Sequence, residues 1–174
     1  NQVLNGSGAN LGSGVLTAAA GFSVVFPNGV GSTNFSTITG DNLSNAIQSI
    51  DEMYVPGGKF VFNKLIMHYI RTIKDTQNRY IFAQPGNGVP GTVWEYPYIV
   101  SAKAPKTTGT STAFVAFVNF KYYIWGRRVG TMMLEVDPYG LFTSNQTRFR
   151  MFSRWAGKIG QANAFARIVQ LDRK

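Results

Sequence analysis

The sequence predicts an α+β layer fold, with two amphipathic helices in the first half and mostly strands after them. Three observations carry that prediction. Apolar residues recur at helical spacing over 41–54 (Leu43, Ala46, Ile47, Ile50, Tyr54) and again over 63–78 (Leu65, Ile66, Tyr69, Ile70, Ile73). From residue 92 onward the pattern becomes strand-like, with short apolar or alternating runs separated by Gly, Pro, Asn and Asp. The length of 174 residues suits one domain or two closely packed lobes.

Residues 1–40 carry no charged side chain and are rich in Gly, Ser, Thr and Asn. The apolar islands 15–16 and 22–26 predict loops with one or two short strands. The first helix is expected over 41–54. Thr39 or Asp41 is placed to accept a backbone N–H of its first turn, and Pro56-Gly57-Gly58 ends it. A short strand, KFVFN, precedes a second helix with Asn63 as N-cap, expected to run to about Asn78. A turn (TQN), a strand (RYIF) and a Gly/Pro loop (AQPGNGVPG) follow. Strands are then expected at 96–102, 113–125, 131–136, 145–155 and 164–171, with turns at 105–112, 137–140 and 157–163. In the 145–155 strand, alternation sends Arg148, Arg150 and Arg154 to one face and Phe149, Met151 and Trp155 to the other.

Composition narrows the function. Charged residues make up 14% and aromatic residues another 14%, against about 25% charged in an average domain. Interface cores share that depletion of charge and enrichment in rings. The absence of Cys excludes disulfides, thiolate metal sites and Cys nucleophiles. No apolar run reaches the roughly 18 residues of a membrane-spanning helix. Charge is uneven: residues 1–100 balance five basic against five acidic side chains, whereas 101–174 hold twelve basic and three acidic. The whole net charge of +9 therefore lies in the C-terminal part and implies an anionic partner, either nucleic acid or an acidic protein surface.

No constellation points to catalysis, a cofactor or a metal. Gly86-Asn87-Gly88-Val89-Pro90-Gly91 spells GxGxxG, but a dinucleotide site needs a helix after it, and here Pro90 and a strand follow. His68, the one His, borders the apolar stripe of the second helix without ligand partners in its neighbourhood. Asp51 and Glu52 are adjacent and point apart, and Asp137 opens a turn, so neither Asp51-Glu52 nor Glu135/Asp137 forms a working acid–base pair. The basic residues Arg127, Arg128, Arg148, Arg150, Arg154 and Lys158 lie near many rings and allow a basic nucleic-acid-binding domain as one reading. No RNP-type pattern accompanies them, and salt bridges between subunits use the same Arg forks better.

NGSGANLGSGVLT, KFVFN with KDTQNRYIF, GTVWEYPYIVS, YYIWGRRVGTMMLEVD and LFTSNQTRFRMFSRWAGKIGQANAFARI, in that order, resemble the major capsid proteins of tailed bacteriophages, the HK97-type fold. NGSGANLGSGVLT resembles a Gly-rich entry to the axial domain. KFVFN with its helix and KDTQNRYIF resembles an axial strand and helix ending in "KD…GRYIF". GTVWEYPYIVS is similar to "G-x-x-x-G-x-P-V", with Glu95 where Gly is usual. YYIWGRRVGTMMLEVD is similar to a "DR-x-G-x-x-x-E" strand pair. LFTSNQTRFRMFSRWAGKIGQANAFARI resembles the closing peripheral strand and the final "P-x-A-F" strand, with Gln161-Ala162-Asn163 in place of the Pro.

The resemblance implies an axial-domain sheet with two helices plus peripheral-domain strands. It implies a discontinuous axial-type lobe at 15–130 and 160–171 and the remnant of a peripheral-type lobe at 1–14 and 131–159. The N-terminal arm, hairpin loop and spine helix of a full family member are expected upstream and have no counterpart in this sequence. The implied role is a structural subunit of an icosahedral phage or prophage capsid that assembles into hexamers and pentamers around DNA. The implied location is the virion, after assembly in the bacterial host cytoplasm. Its partners are its own copies, with a scaffolding protein and packaged DNA as further candidates. An encapsulin-like compartment shell is the alternative within the fold. Candidate interface residues are Arg127, Arg128, Arg148, Arg150 and Arg154. Some relatives crosslink covalently through an Asn on the closing strand and a Glu seven residues later. Asn145 fits the first position, but Phe152 occupies the second and has no basic atom, so no crosslinking is expected.

Overall fold

The computed structural model describes residues 14–16, 23–25, 38–82, 91–106, 113–129 and 133–169. The element order is β1 (Ser23–Val25), α1 (Gly40–Gln48), β2 (Lys59–Phe62), α2 (Lys64–Arg71), β3 (Thr92–Val93), β4 (Tyr96–Val100), β5 (Ala113–Val118), β6 (Tyr123–Arg127), β7 (Met133–Asp137), β8 (Arg148–Phe152), β9 (Trp155–Ile159) and β10 (Phe165–Val169). Six of the strands form one mixed sheet in the order β1-β10-β5-β2-β4-β3. β5 runs antiparallel to both β2 and β10, while β2–β4 and β1–β10 are parallel.

Alternation along the central strands sorts two cores onto the two faces of this sheet. Phe60, Phe62, Val115, Phe117, Ala166 and Ile168 meet Leu43, Ala46 and Ile50 of the α1 segment and Ile66 and Ile70 of α2. Val61, Ala116, Val118, Phe165 and Val169 pack on the opposite side with Val15, Leu16 and Ala104. β5 is buried along its whole length, which explains why its apolar residues show no polar alternation.

Both helices are shorter than their sequence periodicity predicts. α1 is capped by Thr39, whose side chain accepts the Asn42 N–H at 3.4 Å, but it stops at Gln48. Ser49 Oγ donates back to the Ala46 carbonyl at 2.9 Å, the chain turns extended at Asp51, and 52–54 form a separate 3-10 turn. Asn63 caps α2 as expected, accepting the Leu65 N–H at 3.1 Å. α2 ends at Arg71, because Ile73 and Asp75 enter a hairpin: Ile81 N–H donates to the Ile73 carbonyl and Asp75 N–H to the Arg79 carbonyl. Ile66 and Ile70 are its buried residues, whereas Leu65 is exposed and Tyr69 and Ile73 are half-buried. The expected RYIF strand reduces to one bridge, Lys74↔Tyr80.

The C-terminal strands divide differently from the expectation. The 113–125 run breaks at Asn119 into β5, a 3-10 turn and β6. The 145–155 run breaks at Ser153 and Arg154 into β8 and β9, so Arg154 shares no strand face with Arg148 and Arg150. Gly157 belongs to β9, not to a turn. Its missing side chain leaves room for the Tyr123 ring, which a Cβ there would strike. The Gly86–Gly91 loop lies, up to its last residue, outside the described residues.

Candidate assembly surface

Residues 123–129 and 133–159 leave the central sheet as a two-stranded antiparallel ribbon in two sections, β6–β9 and β7–β8. Its far end is a turn closed by Asp137, whose Oδ1 accepts the N–H groups of Tyr139 and Gly140, both at 3.0 Å. Pro138 and Gly140 favour that turn, as expected.

In the outer section the register sorts chemistry by face. Glu135 stands opposite Arg150 and Asp137 opposite Arg148, while Leu134 pairs with Met151 and Val136 with Phe149 on the other face. Glu135 Oε2 and Arg150 Nε are 4.0 Å apart and solvent-exposed, a geometry that adds little stability in water. The apolar face stands equally open, with Leu134, Val136, Phe149 and Met151 between 52% and 66% exposed. A contiguous apolar patch on a ribbon of only two strands marks a surface for a partner.

The inner section is ring-rich. Trp125 and Trp155 approach to 5.9 Å between centroids, and the Arg127 guanidinium lies 5.6 Å over the Trp155 ring. Trp155 Nε1 donates to Ser153 Oγ at 2.7 Å. Arg128 N–H donates to the Arg154 carbonyl at 3.2 Å, joining the two sections. Burial pushes the Tyr123 hydroxyl pKa up. The structure therefore brings Arg127, Arg128, Arg148, Arg150 and Arg154 onto one exposed ribbon, and it engages Arg150 with an acid of the same chain.

Asn145 lies in the turn before β8, exposed, with φ of 51°. Asn tolerates that left-handed conformation better than other residues with a side chain, so the turn alone accounts for it. Phe152 lies on β8 with the Arg150 guanidinium 5.4 Å from its ring. Sequence reading put Phe149 and Met151 on one face of their strand but missed that Leu134 and Val136 of β7 complete an apolar face with them. Its signal is the alternation Leu134-Glu135-Val136-Asp137, legible once β7 is placed beside β8.

The remaining chemical candidates do not gather. His68 is exposed on α2. Asp51 accepts a hydrogen bond from Asn163 Nδ2 at 3.1 Å. Among the described residues no group of three His, Cys, Asp or Glu side chains is placed to hold a metal ion. Asp75 Oδ1 accepts the N–H groups of Arg79 and Gln77, both at 2.9 Å, and its carboxyl is held below the usual range chiefly by the Arg79 N–H.

Comparison with known proteins places this architecture. The capsid of an empty GTA particle, computed with C5 symmetry, superposes with a TM-score of 0.76 at 19% identity, covering 97% of this chain and 60% of that one. The capsid of the native GTA particle gives 0.76 at 19%, covering 98% and 59%. A structure from Gordonia phage Cozz gives 0.57 at 20%, covering 99% and 56%. The chain thus spans about 60% of the length of the capsid chains it matches, and its α+β fold is the HK97-type capsid fold that its phrases resemble. No curated protein matches the sequence. A model of the phage capsid family matches residues 1–169, nearly the whole sequence, and the chain belongs to that family.

Proposed function

We propose that this chain is the folded body of a structural subunit of an icosahedral phage or prophage capsid, self-assembling into pentamers and hexamers that enclose DNA. The observation that carries the reading is the family match across residues 1–169. The mechanism is assembly, not chemistry: many modest contacts between copies add through multivalency. The central sheet with α1 and α2, residues 15–130 and 160–171, serves as the axial-type lobe. Residues 1–14 and 131–159 serve as part of a peripheral-type lobe that touches neighbouring capsomers through the Arg-bearing ribbon. With Phe152 where a base is needed, no covalent crosslinking accompanies maturation. The partners are copies of this chain, a scaffolding protein and packaged DNA, and the place is the virion, after assembly in the host cytoplasm.

Electron microscopy of the full-length protein expressed in bacteria tests the reading. The expected result is closed shells with fivefold vertices, running as monomer on denaturing gels. Particles filled with an enzyme would favour a compartment shell instead. Steep salt-dependent binding to naked DNA without any particle would overturn the capsid reading in favour of a nucleic-acid-binding domain.

A further inference from the structure

The central sheet carries a knob at one end and a matching groove at the other. The knob is the 3-10 turn 52–54 before β2. Met53 is 73% exposed there, and the exposed Asp51 and Glu52 directly precede it in the chain. Its place is fixed: Asn119 Nδ2 donates to the carbonyls of Tyr54 and Pro56, both at 2.9 Å, and Asn163 Nδ2 donates to Asp51. The groove opens at the other ends of β2 and β4, where Phe62 pairs with Val100. Its volume is about 830 Å³. Leu65, Val100 and Ala102 line it, and Lys64, His68 and Lys106 stand at its rim. Among the described residues, the buried polar group in its lining is Asn63, already engaged with the Ser101 and Ala104 carbonyls and the Leu65 N–H. Among the described residues, an apolar trough with a basic rim and no convergent polar group suits an apolar side chain carried beside two carboxylates better than a small polar ligand.

From this complementarity we infer that the 51–54 turn of one copy docks into the Lys64–Lys106 groove of the next. The inference rests on the proposed self-assembly and names a contact within it. Knob and groove lie at opposite ends of β2, a strand of four residues that spans about 13 Å, so one copy cannot fill its own groove. The contact is heterologous: each subunit gives a knob to one neighbour and takes a knob from the other, the arrangement that closes into rings. Opposite charges at knob and rim set the orientation.

The chain contains no Cys, so paired thiols report this contact directly. The full-length Met53→Cys/Val100→Cys variant is oxidised mildly and run on non-reducing denaturing gels, with the unsubstituted protein and both single variants alongside. The expected result is a ladder of disulfide-linked multimers from the double variant alone. Adding Lys64→Glu and Lys106→Glu is expected to weaken the ladder at least tenfold, and adding Asp51→Lys and Glu52→Lys to that variant to restore it. A double variant that runs no further than its single variants overturns the contact, as does a ladder indifferent to charge reversal. Particle formation by the unsubstituted protein is scored separately by electron microscopy. Shells without the ladder overturn this contact and leave the capsid reading standing; a ladder without shells supports the contact and removes the capsid reading.

Discussion

Asn119 is 4% exposed and holds three segments together. Its Nδ2 donates to Tyr54 and Pro56, its Oδ1 accepts the Lys121 N–H at 3.1 Å, and its own N–H donates to the Ala164 carbonyl. Removing the amide strands two carbonyls and one N–H in part-buried bonds, and a polar group left unmatched costs about 1–3 kcal/mol when buried and less where water reaches it. Asn119→Ala is therefore expected to lower stability by about 3 kcal/mol, read as a fall in Tm by calorimetry. An unchanged Tm would mean that water replaces the amide. Two other single residues explain departures from the family phrases. Asn78 fills the Gly position of "KD…GRYIF" at φ of 66°, and Glu95 fills the second Gly of "G-x-x-x-G-x-P-V" at φ of 69°. Asn suits that region; Glu does not. Glu95→Gly is expected to raise stability by about 1 kcal/mol, because the left-handed conformation costs roughly that much for a residue with a Cβ. Chemical denaturation of the two proteins measures it; a destabilised variant would show that Glu95 makes a contact worth more than the strain.

At the scale of elements, the outer ribbon carries the most testable assignment. Its cross-strand pair Glu135–Arg150 is exposed and adds at most about 1 kcal/mol, so Arg150 contributes little to the isolated fold. Phe149 and Met151 stand open on the other face and hold no core together. Phe149→Ser/Met151→Ser is expected to leave the Tm within a few degrees while reducing the yield of assembled particles at least tenfold, measured by sedimentation. A large fall in Tm would instead make the ribbon part of the fold of a single copy. The same element shows where sequence reading succeeds and where it stops. Thr39, Asn63, the 137–140 turn and the KFVF strand were legible because short-range chemistry fixes each of them: a cap, an Asx turn, an apolar run. The end of α2 and the Ser153–Arg154 break were not, because a partner outside the helix or strand decides each of them. Ile73 leaves the helix to meet Ile81, and the strand is cut where Arg128 meets Arg154. The Arg-bearing segment was legible as a strand with charges. That Arg150 faces Glu135 follows only from register.

The whole molecule joins a sheet whose central strands are buried on both faces to a ribbon whose outer section is exposed on both. β5, β2 and β10 are enclosed by the two cores and linked by pairings between residues 47 to 59 positions apart in sequence. Opening any of them exposes the common core, so their amides exchange only with global unfolding. The β7–β8 ladder has no third strand among the described residues and no side chain fully covered. Two strands alone are marginal in water, so this section opens without disturbing the sheet. Hydrogen exchange on the chain before assembly is expected to show 113–118 and 165–169 protected for hours and 133–152 exchanging at least a hundredfold faster. If the ribbon is covered by neighbouring copies in the shell, the same peptides become protected in assembled particles while the sheet changes little. Equal protection of ribbon and sheet before assembly would mean that the ribbon is stabilised within one copy. An assembled shell in which 133–152 still exchanges fast would remove Arg148, Arg150 and the apolar face from the intersubunit contacts.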